Sequence, residues 1–582
     1  MFRLHNAFAA IGLSFVLACT VSAQTWNGGG ADDNWSTGGA GGNWSGAVAP
    51  TSGTSTSLTF AGTTRLTPFN DITDPFTFNT LTFASGAGAY NLGGNPLYVD
   101  GATRSIVSNA TSNVSISQNV AFGGNGTINA AGAGSITFGG TLNVGQGTTT
   151  VLSNNVTINN LLIGSIGAAS IFDTTTRTVT INGNVKYDNY NEFDEPGATG
   201  EIRGTLNLNG GVRSFTSSIS EAEAYDLIVT ATLTGSGNSG ISVPDCEGNV
   251  LFAGQSNYAG TTFFNNQTGA IYLGADNALP TTSPVTLGNL TFLSLRTPVA
   301  QGSVVAADYD HQFASLASTF ANAEIRFGNT TTLTVGNSAN ANYAGYFTQS
   351  TSAGTPTLIK TGTGRWTLSG NSTQNPQGGA VFSGAVIVNQ GTLAVTTPVS
   401  GLNSGTGRGT VLVNSGGTLA GNGAIVPNRG SQALNTITVA SGGTISPDGI
   451  AGPIATMTLG AASSRATVTI NGTYEVNLTP TLSDQLAING SLTLGGTSSL
   501  NASGITSVPG GTTILSYVIA TFDSGALSGT FASTSIPAGS MIEYNANNIT
   551  LFVPVPEPAT VLGLTAGLLT FGAWIRRRMT RV

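Results

Sequence analysis

Leu358-Ile359-Lys360-Thr361-Gly362-Thr363-Gly364-Arg365-Trp366-Thr367-Leu368-Ser369-Gly370-Asn371, followed by Gly384 to Val388 and Gln390-Gly391-Thr392-Leu393, is the stretch that decides the fold. Short alternating runs bounded by glycine or asparagine place apolar side chains on one strand face and polar ones on the other. The Gly-Thr-Leu ending recurs in related form at Gly391, Gly417, Gly443, Gly472 and Gly490, at intervals of 26, 26, 29 and 18 residues. A unit of that length cannot bury its own core, so such units stack into a solenoid. The expected fold class is all-β: a long parallel β-helix whose coils pair edge to edge and whose turns suit Gly and Asn at positive φ. At about 20 to 26 residues per coil, this predicts on the order of 20 coils.

The same alternation extends outward from this stretch. Ser135-Ile136-Thr137-Phe138, Val156-Thr157-Ile158, Val179-Thr180-Ile181 and Leu206-Asn207-Leu208 read as strands, and no helical period is found before residue 554. Tyr474 to Leu478 and Ile514 to Phe522 read as longer strands, so a β-sandwich module near Ser463 to Val553 is the alternative for that end.

Composition narrows the function. Residues 24–552 hold 13 Lys+Arg against 25 Asp+Glu, a net charge of −12 without a basic stripe, which argues against nucleic acid as a partner. They hold one cysteine, Cys246, and one histidine, His311. That inventory builds no intrachain disulfide, His-based triad or His/Cys metal site. Charged residues make up 8% of the chain, but 40% hydrophobic content rich in β-branched side chains is enough for a core.

Both ends carry export signals. Met1 to Asn6 contains Arg3, Ala7 to Ala18 is apolar, and Val21-Ser22-Ala23 offers small residues for signal peptidase, with cleavage between Ala23 and Gln24. Val16-Leu17-Ala18-Cys19 is the competing reading, a lipobox with Cys19 lipidated. At the other end, Pro556-Glu557-Pro558 precedes an apolar run, Ala559 to Ile575, and then Arg576, Arg577 and Arg578. Pro558 suits a first helical turn and Glu557 the positive end of the helix dipole. The run would span about 25 Å as a helix, just under the roughly 30 Å apolar core of a bilayer. The arginines act as a cytoplasmic stop, leaving the body outside. Gly563 and Gly567 form a GxxxG, read here as small residues in a short anchor.

The Val-Pro-Glu-Pro-Ala-Thr motif, helix and arginine cluster resemble the PEP-CTERM sorting tail. The stretch from Leu358, with Gly384 to Val388 and Gln390 to Leu393, resembles the autotransporter-associated β-strand repeat. Residues 246–274 look like a degenerate copy lacking the Lys-x-Gly opening, and Gln374 to Gly379 is an insertion in the second copy. A full autotransporter would end in a translocator barrel, whereas this sequence ends in a hydrophobic run and arginines. The resemblances imply a surface-displayed β-solenoid passenger whose tail is read by an exosortase-type membrane enzyme that supplies the nucleophile.

The resulting organisation is a signal peptide at 1–23, a Trp/Gly-rich cap at 24–50, solenoid at 51–357, the repeat region at 358–462, a C-terminal β region at 463–553 and the sorting tail at 554–582. Within the tail, the motif is 555–560, the membrane helix 559–575 and the basic end 576–582.

Trp26, Trp35 and Trp44 recur every nine residues and are expected to cover the first coil, with a sugar-stacking platform as the alternative. Trp366 is expected to point inward. Asp188, Glu192, Asp194, Glu195 and Glu201 form the densest acidic stretch, but their spacing fits no EF-hand or Gly-Gly-x-Gly-x-Asp repeat. A protruding solvated loop is expected there, with calcium the alternative, and no catalytic, metal or cofactor residue is assigned. The expected function is a non-enzymatic surface or matrix protein, adhesin-like, meeting exopolysaccharide. The alternative is a ligand-binding solenoid for carbohydrate or ice, with Thr148 to Thr150, Thr174 to Thr176 and Thr330 to Thr332 as candidate threonine faces. A polysaccharide lyase or hydrolase ranks below both.

Overall fold

The computed structural model describes residues 23–165, 167–189, 198–219, 224–244, 247–266, 268–373, 379–428, 435–447, 453–505 and 514–554. These form strands and turns without a helix. Contacts gather them into two compact units, the described residues up to 143 with 149–157, and 144–148 with those from 158 on. The sequence marked no boundary there.

In the first unit, strands Ser57–Phe60, Thr80–Phe83, Ser105–Ser108 and Gly126–Ala130 pair in parallel. Leu58, Leu81, Ile106, Ile128 and Val151 stack in register, so each coil advances 23, 25, 22 and 23 residues. A second face stacks Phe76 and Phe78 on Leu97 and Val99, and these on Val120 and Phe122. All of these side chains are buried. Gln24–Trp26 starts the stack against Ser57–Phe60. Trp26, Trp35 and Trp44 close it from within: Trp44 meets Trp26 and Trp35 edge-on, with ring centroids 5.2 and 5.8 Å apart, and all three pack on Phe60. Being buried, the indoles form a cap and not a sugar platform.

The second unit repeats the principle on more faces. Leu227, Val250, Ile271, Leu293, Ile325 and Phe347 form one inward file. A second file runs Leu333, Leu358, Val386, Val411, Ile437, Val468, Leu492 and Leu527. A third runs Trp366, Leu393, Leu419, Ile445, Tyr474 and Leu500. Strands buried on the inward side and paired in parallel are what a run of near-identical coils must produce.

The third file corrects the triplet reading. Gly391, Gly417, Gly443 and Gly472 introduce successive coils of one sheet, but the next member is Ser499-Leu500, not Gly490. The spacing from Tyr474 to Leu500 is 26, and the anomalous 18 disappears. Gly490 opens a strand of the neighbouring sheet, beside Ala466. Its φ is +143°, and a Cβ there would lie 1.9 Å from the Ala466 carbonyl, so the turn requires glycine.

Asparagine sets the coil corners. The side-chain carbonyls of Asn113 and Asn119 accept the backbone N–H of Ser135 and Thr141 one coil on. In the second unit Asn160, Asn184, Asn265 and Asn340 do the same for Asn184, Ser214, Asn289 and Arg365. Each satisfies a donor that the corner would otherwise leave unpaired.

The described residues make about 17 turns, fewer than the roughly 20 expected from a coil of about 20 to 26 residues, because coils lengthen to 31 residues between Ile437 and Val468 and 35 between Leu492 and Leu527. The sandwich alternative fails: parallel coils continue to Ser533–Ser535, and the antiparallel strands of that end, Ile514–Thr521, Asn548–Pro554 and Met541–Tyr544, extend one sheet of the solenoid. Among the described residues no helix is long and apolar enough to cross a membrane. The helix expected at 559–575 lies outside them.

Candidate functional site

The outward faces carry the most regular chemistry. Where Ile437, Val439, Val468, Ile470, Leu492 and Leu494 point in, Thr436, Thr438, Thr467, Thr469, Ser491 and Thr493 alternate with them and point out. Register aligns Thr436 with Thr467 and Ser491, and Thr438 with Thr469 and Thr493. The result is a grid two hydroxyls wide and three coils long, spaced about 4.8 Å between strands and about 6.6 Å along them. On the adjacent sheet Thr392, Thr418, Thr444, Thr473 and Ser499 form a single outward column, with the Thr473 and Ser499 hydroxyls 2.9 Å apart. Such a surface can hydrogen-bond a repeating hydroxyl or water lattice but carries no group for bond cleavage.

The threonine triplets picked from the sequence are different. Thr149, Thr174 and Thr331 are buried. Thr174 Oγ1 donates to the Arg203 carbonyl at 3.2 Å and accepts from Thr205 N–H at 2.8 Å, and Thr331 Oγ1 accepts from Gly328 N–H at 3.0 Å. The Thr174 and Thr331 hydroxyls are structural. One threonine of each triplet thus turns inward, because neighbours on a strand face opposite sides, while Thr148, Thr150, Thr330 and Thr332 stay half-buried or exposed; the grid is marked by Thr-x-Thr or Ser-x-Thr repeated at coil spacing.

Of the acidic stretch, Asp188 pairs with Lys186 at 2.8 Å, and Glu192, Asp194 and Glu195 lie outside the described residues. Glu201 is buried beneath a hairpin. Arg296–Thr297 and Ala307–Asp308 pair antiparallel, and the tip between them folds back over earlier coils. Gln301 accepts from Tyr225 N–H at 3.0 Å and donates to the Tyr225 carbonyl at 2.8 Å and Thr199 Oγ1 at 2.5 Å. Ser303 Oγ donates to Glu201 at 2.9 Å, and Arg203 pairs with the same carboxylate at 2.6 Å. Val304 packs on Tyr225, Ile228 and Leu251. Burial pushes the Glu201 carboxyl up, but hydrogen bonds from Arg203 and Ser303, the Arg203 charge and the Thr230 hydroxyl outweigh it and leave it below its ordinary value. Among the described residues no group of three or more His, Cys, Asp or Glu side chains could hold a metal ion.

His311 is inward and buried, which pushes its imidazole down to about 3 and keeps it neutral. Trp366 is buried as expected, its Nε1–H donating to the Leu316 carbonyl at 3.0 Å. Lys360 is also inward. Its ammonium donates to the carbonyls of Thr361, Gly362 and Gln390 at 2.5, 2.7 and 3.1 Å, tying the corner to the next coil, while burial pushes it down to about 8. The cavity between Lys360, Trp366, Val335 and Asn337 is about 10 Å³, room for at most one water.

Ala23 is exposed and Gln24 begins the first strand, so cleavage between them would leave that strand whole. Cys19, Cys246, Pro556, Glu557, Pro558, Arg576, Arg577 and Arg578 lie outside the described residues.

The model of the passenger-associated transport repeat family matches residues 358–395. In the fold this span covers Arg365–Leu368, Ala385–Val388, Gly391–Val395 and all but the first residue of Thr357–Lys360, visiting two sheets of the stack twice, and also Ala380–Val381, which pairs antiparallel with Tyr346–Gln349. No curated protein matches the chain. The repeat and the β-solenoid suggest an autotransporter-like, exported and surface-associated passenger.

Proposed function

We propose that this chain is an exported, non-enzymatic surface or extracellular-matrix protein, adhesin-like in presenting a hydroxyl-lined solenoid to exopolysaccharide. The observation that carries the reading is the passenger-associated transport repeat, which is built into the coil stack with the same inward file as its neighbours. Signal peptidase cleaves between Ala23 and Gln24. The apolar run 559–575 then holds the chain in the membrane until an exosortase-type enzyme acts at Pro556-Glu557-Pro558. No turnover is expected, since His311 is buried and neutral and Asp188, Glu201 and Glu324 are each tied to a cation. Mass spectrometry of protein recovered from the cell surface and medium tests the route. A chain beginning at Gln24 and ending near Pro556 is expected, and a surface chain retaining Arg576 to Val582 overturns the processing step.

A second reading rests on the threonine grid, which suits an ordered ligand such as a crystalline polysaccharide or ice. Thr438→Leu with Thr469→Leu should abolish retention on insoluble polysaccharide or thermal hysteresis, whichever the wild type shows. Wild-type protein showing neither removes this reading.

A further inference from the structure

The outward rows of the last coils are mainly hydroxyl-bearing until the antiparallel sheet at their end, where they become apolar. On Ile514–Thr521 the exposed positions alternate with buried Tyr517 and Ile519, so Ile514, Ser516 and Val518 share the outer face. Register places Ser516 beside Phe552 and Phe552 beside Met541. Ile514 is 59% exposed, Val518 38% and Met541 69%, with half-buried Phe552 between them. Glu543, the one carboxylate on these strands, is exposed on the same face, on the edge strand opposite Thr550. Beside this sheet the Tyr517 hydroxyl donates to the Thr479 carbonyl at 2.7 Å, and the adjoining turn exposes Leu482.

Pro554 lies on this face, opposite Ile514, and is the last residue of its strand. The apolar run starts at Ala559, five residues on. A fully extended chain covers at most about 17 Å over that interval. If the run enters a bilayer, the sheet is therefore held within that distance of the lipid headgroups.

We propose that the outer face of this terminal sheet rests on the bilayer surface, with Ile514, Val518, Met541 and Phe552 entering the interfacial layer. This rests on the reading that 559–575 is inserted in the membrane. The net charge of −12 over residues 24–552 opposes approach to anionic lipid, so the surface it fits is zwitterionic. The contact would hold the body against the membrane near the segment to be processed.

The test uses the full chain reconstituted into phosphatidylcholine vesicles containing a lipid with a photoactivatable acyl chain, separated by flotation and mapped by mass spectrometry. Peptides carrying Ile514, Val518 and Met541 should take up at least about fivefold more label than those carrying Thr438 and Thr469, as expected for apolar side chains at the interface. The combined variant Ile514→Ser, Val518→Ser, Met541→Ser alters only exposed side chains; it should still float and lose this label. A floating chain labelled only beyond Pro554, or a variant labelled like wild type, overturns the proposal. A dimer in detergent that the three serines abolish assigns the face to a second copy and overturns it as well. A chain that does not float overturns the membrane reading itself, and this inference with it.

Discussion

The coils around residues 436–494 and those around residues 200–273 share one backbone plan and finish their outer faces in opposite ways. On the sheet of the first region that runs through Thr436, Thr467 and Ser491 the outward residues are Thr and Ser, which solvent can satisfy, and the face stays open. In the second the outward row runs Glu201, Ile228, Leu251 and Tyr272, an apolar strip beginning at a carboxylate. The hairpin at 296–308 covers it. In this solenoid the inward file builds the coil and the outward row decides whether further chain must be added. A ligand surface belongs where nothing was added.

Substitutions can break that contrast. The largest effect is expected at Arg326, further along the same outward row, which pairs with the fully buried Glu324 at 2.8 Å. Arg326→Leu strands a buried charge and should cost about 3–5 kcal/mol, read as lost hydrogen-exchange protection over residues 346–349. Leu251→Ala empties a site buried on both sides and should cost about 2–5 kcal/mol in denaturant unfolding of the second unit. Gln301→Ala leaves the Tyr225 amide and carbonyl without their partner and should cost about 1–3 kcal/mol, exposing the hairpin to proteolysis before the coils beneath it. A smaller effect follows from pH. Because folding lowers the Glu201 carboxyl, its contribution is present above the unfolded value of about 4.3 and is lost as pH falls through the lower folded value. The hairpin amides of residues 301–304 should therefore exchange faster relative to the coils only in acid. Thr469→Val, on the open face, should change stability by less than about 0.5 kcal/mol.

The inward files were legible in the sequence because period-2 alternation between glycines admits little else. Lys360 and Trp366 could be assigned to a coil for the same reason, although Lys360 is inward only because three carbonyls at the corner receive its ammonium. What the sequence did not give up was the partner of each strand. Gly490-Ser491-Leu492 has the composition of the other triplets but lies on another sheet, since 18 residues cannot complete a coil whose neighbours need 26 or more. The hairpin escaped for a similar reason: Gln301 and Glu201 are remote in sequence, and nothing local marks their meeting. The threonine triplets were a partial guide, because adjacent residues of a strand face opposite sides and one member of each triplet is buried.

One turn of the solenoid carries Thr473 onto Ser499. Cysteines placed at Thr473 and Ser499, in a background with Cys246→Ser, should join on mild oxidation of the folded protein, since aligned parallel neighbours lie about 4.8 Å apart. The pair Thr473→Cys with Ser491→Cys should not, because Ser491 aligns with Thr467 on the neighbouring sheet. Efficient cross-linking of the second pair without the first would contradict the coil register and the stacked architecture built on it.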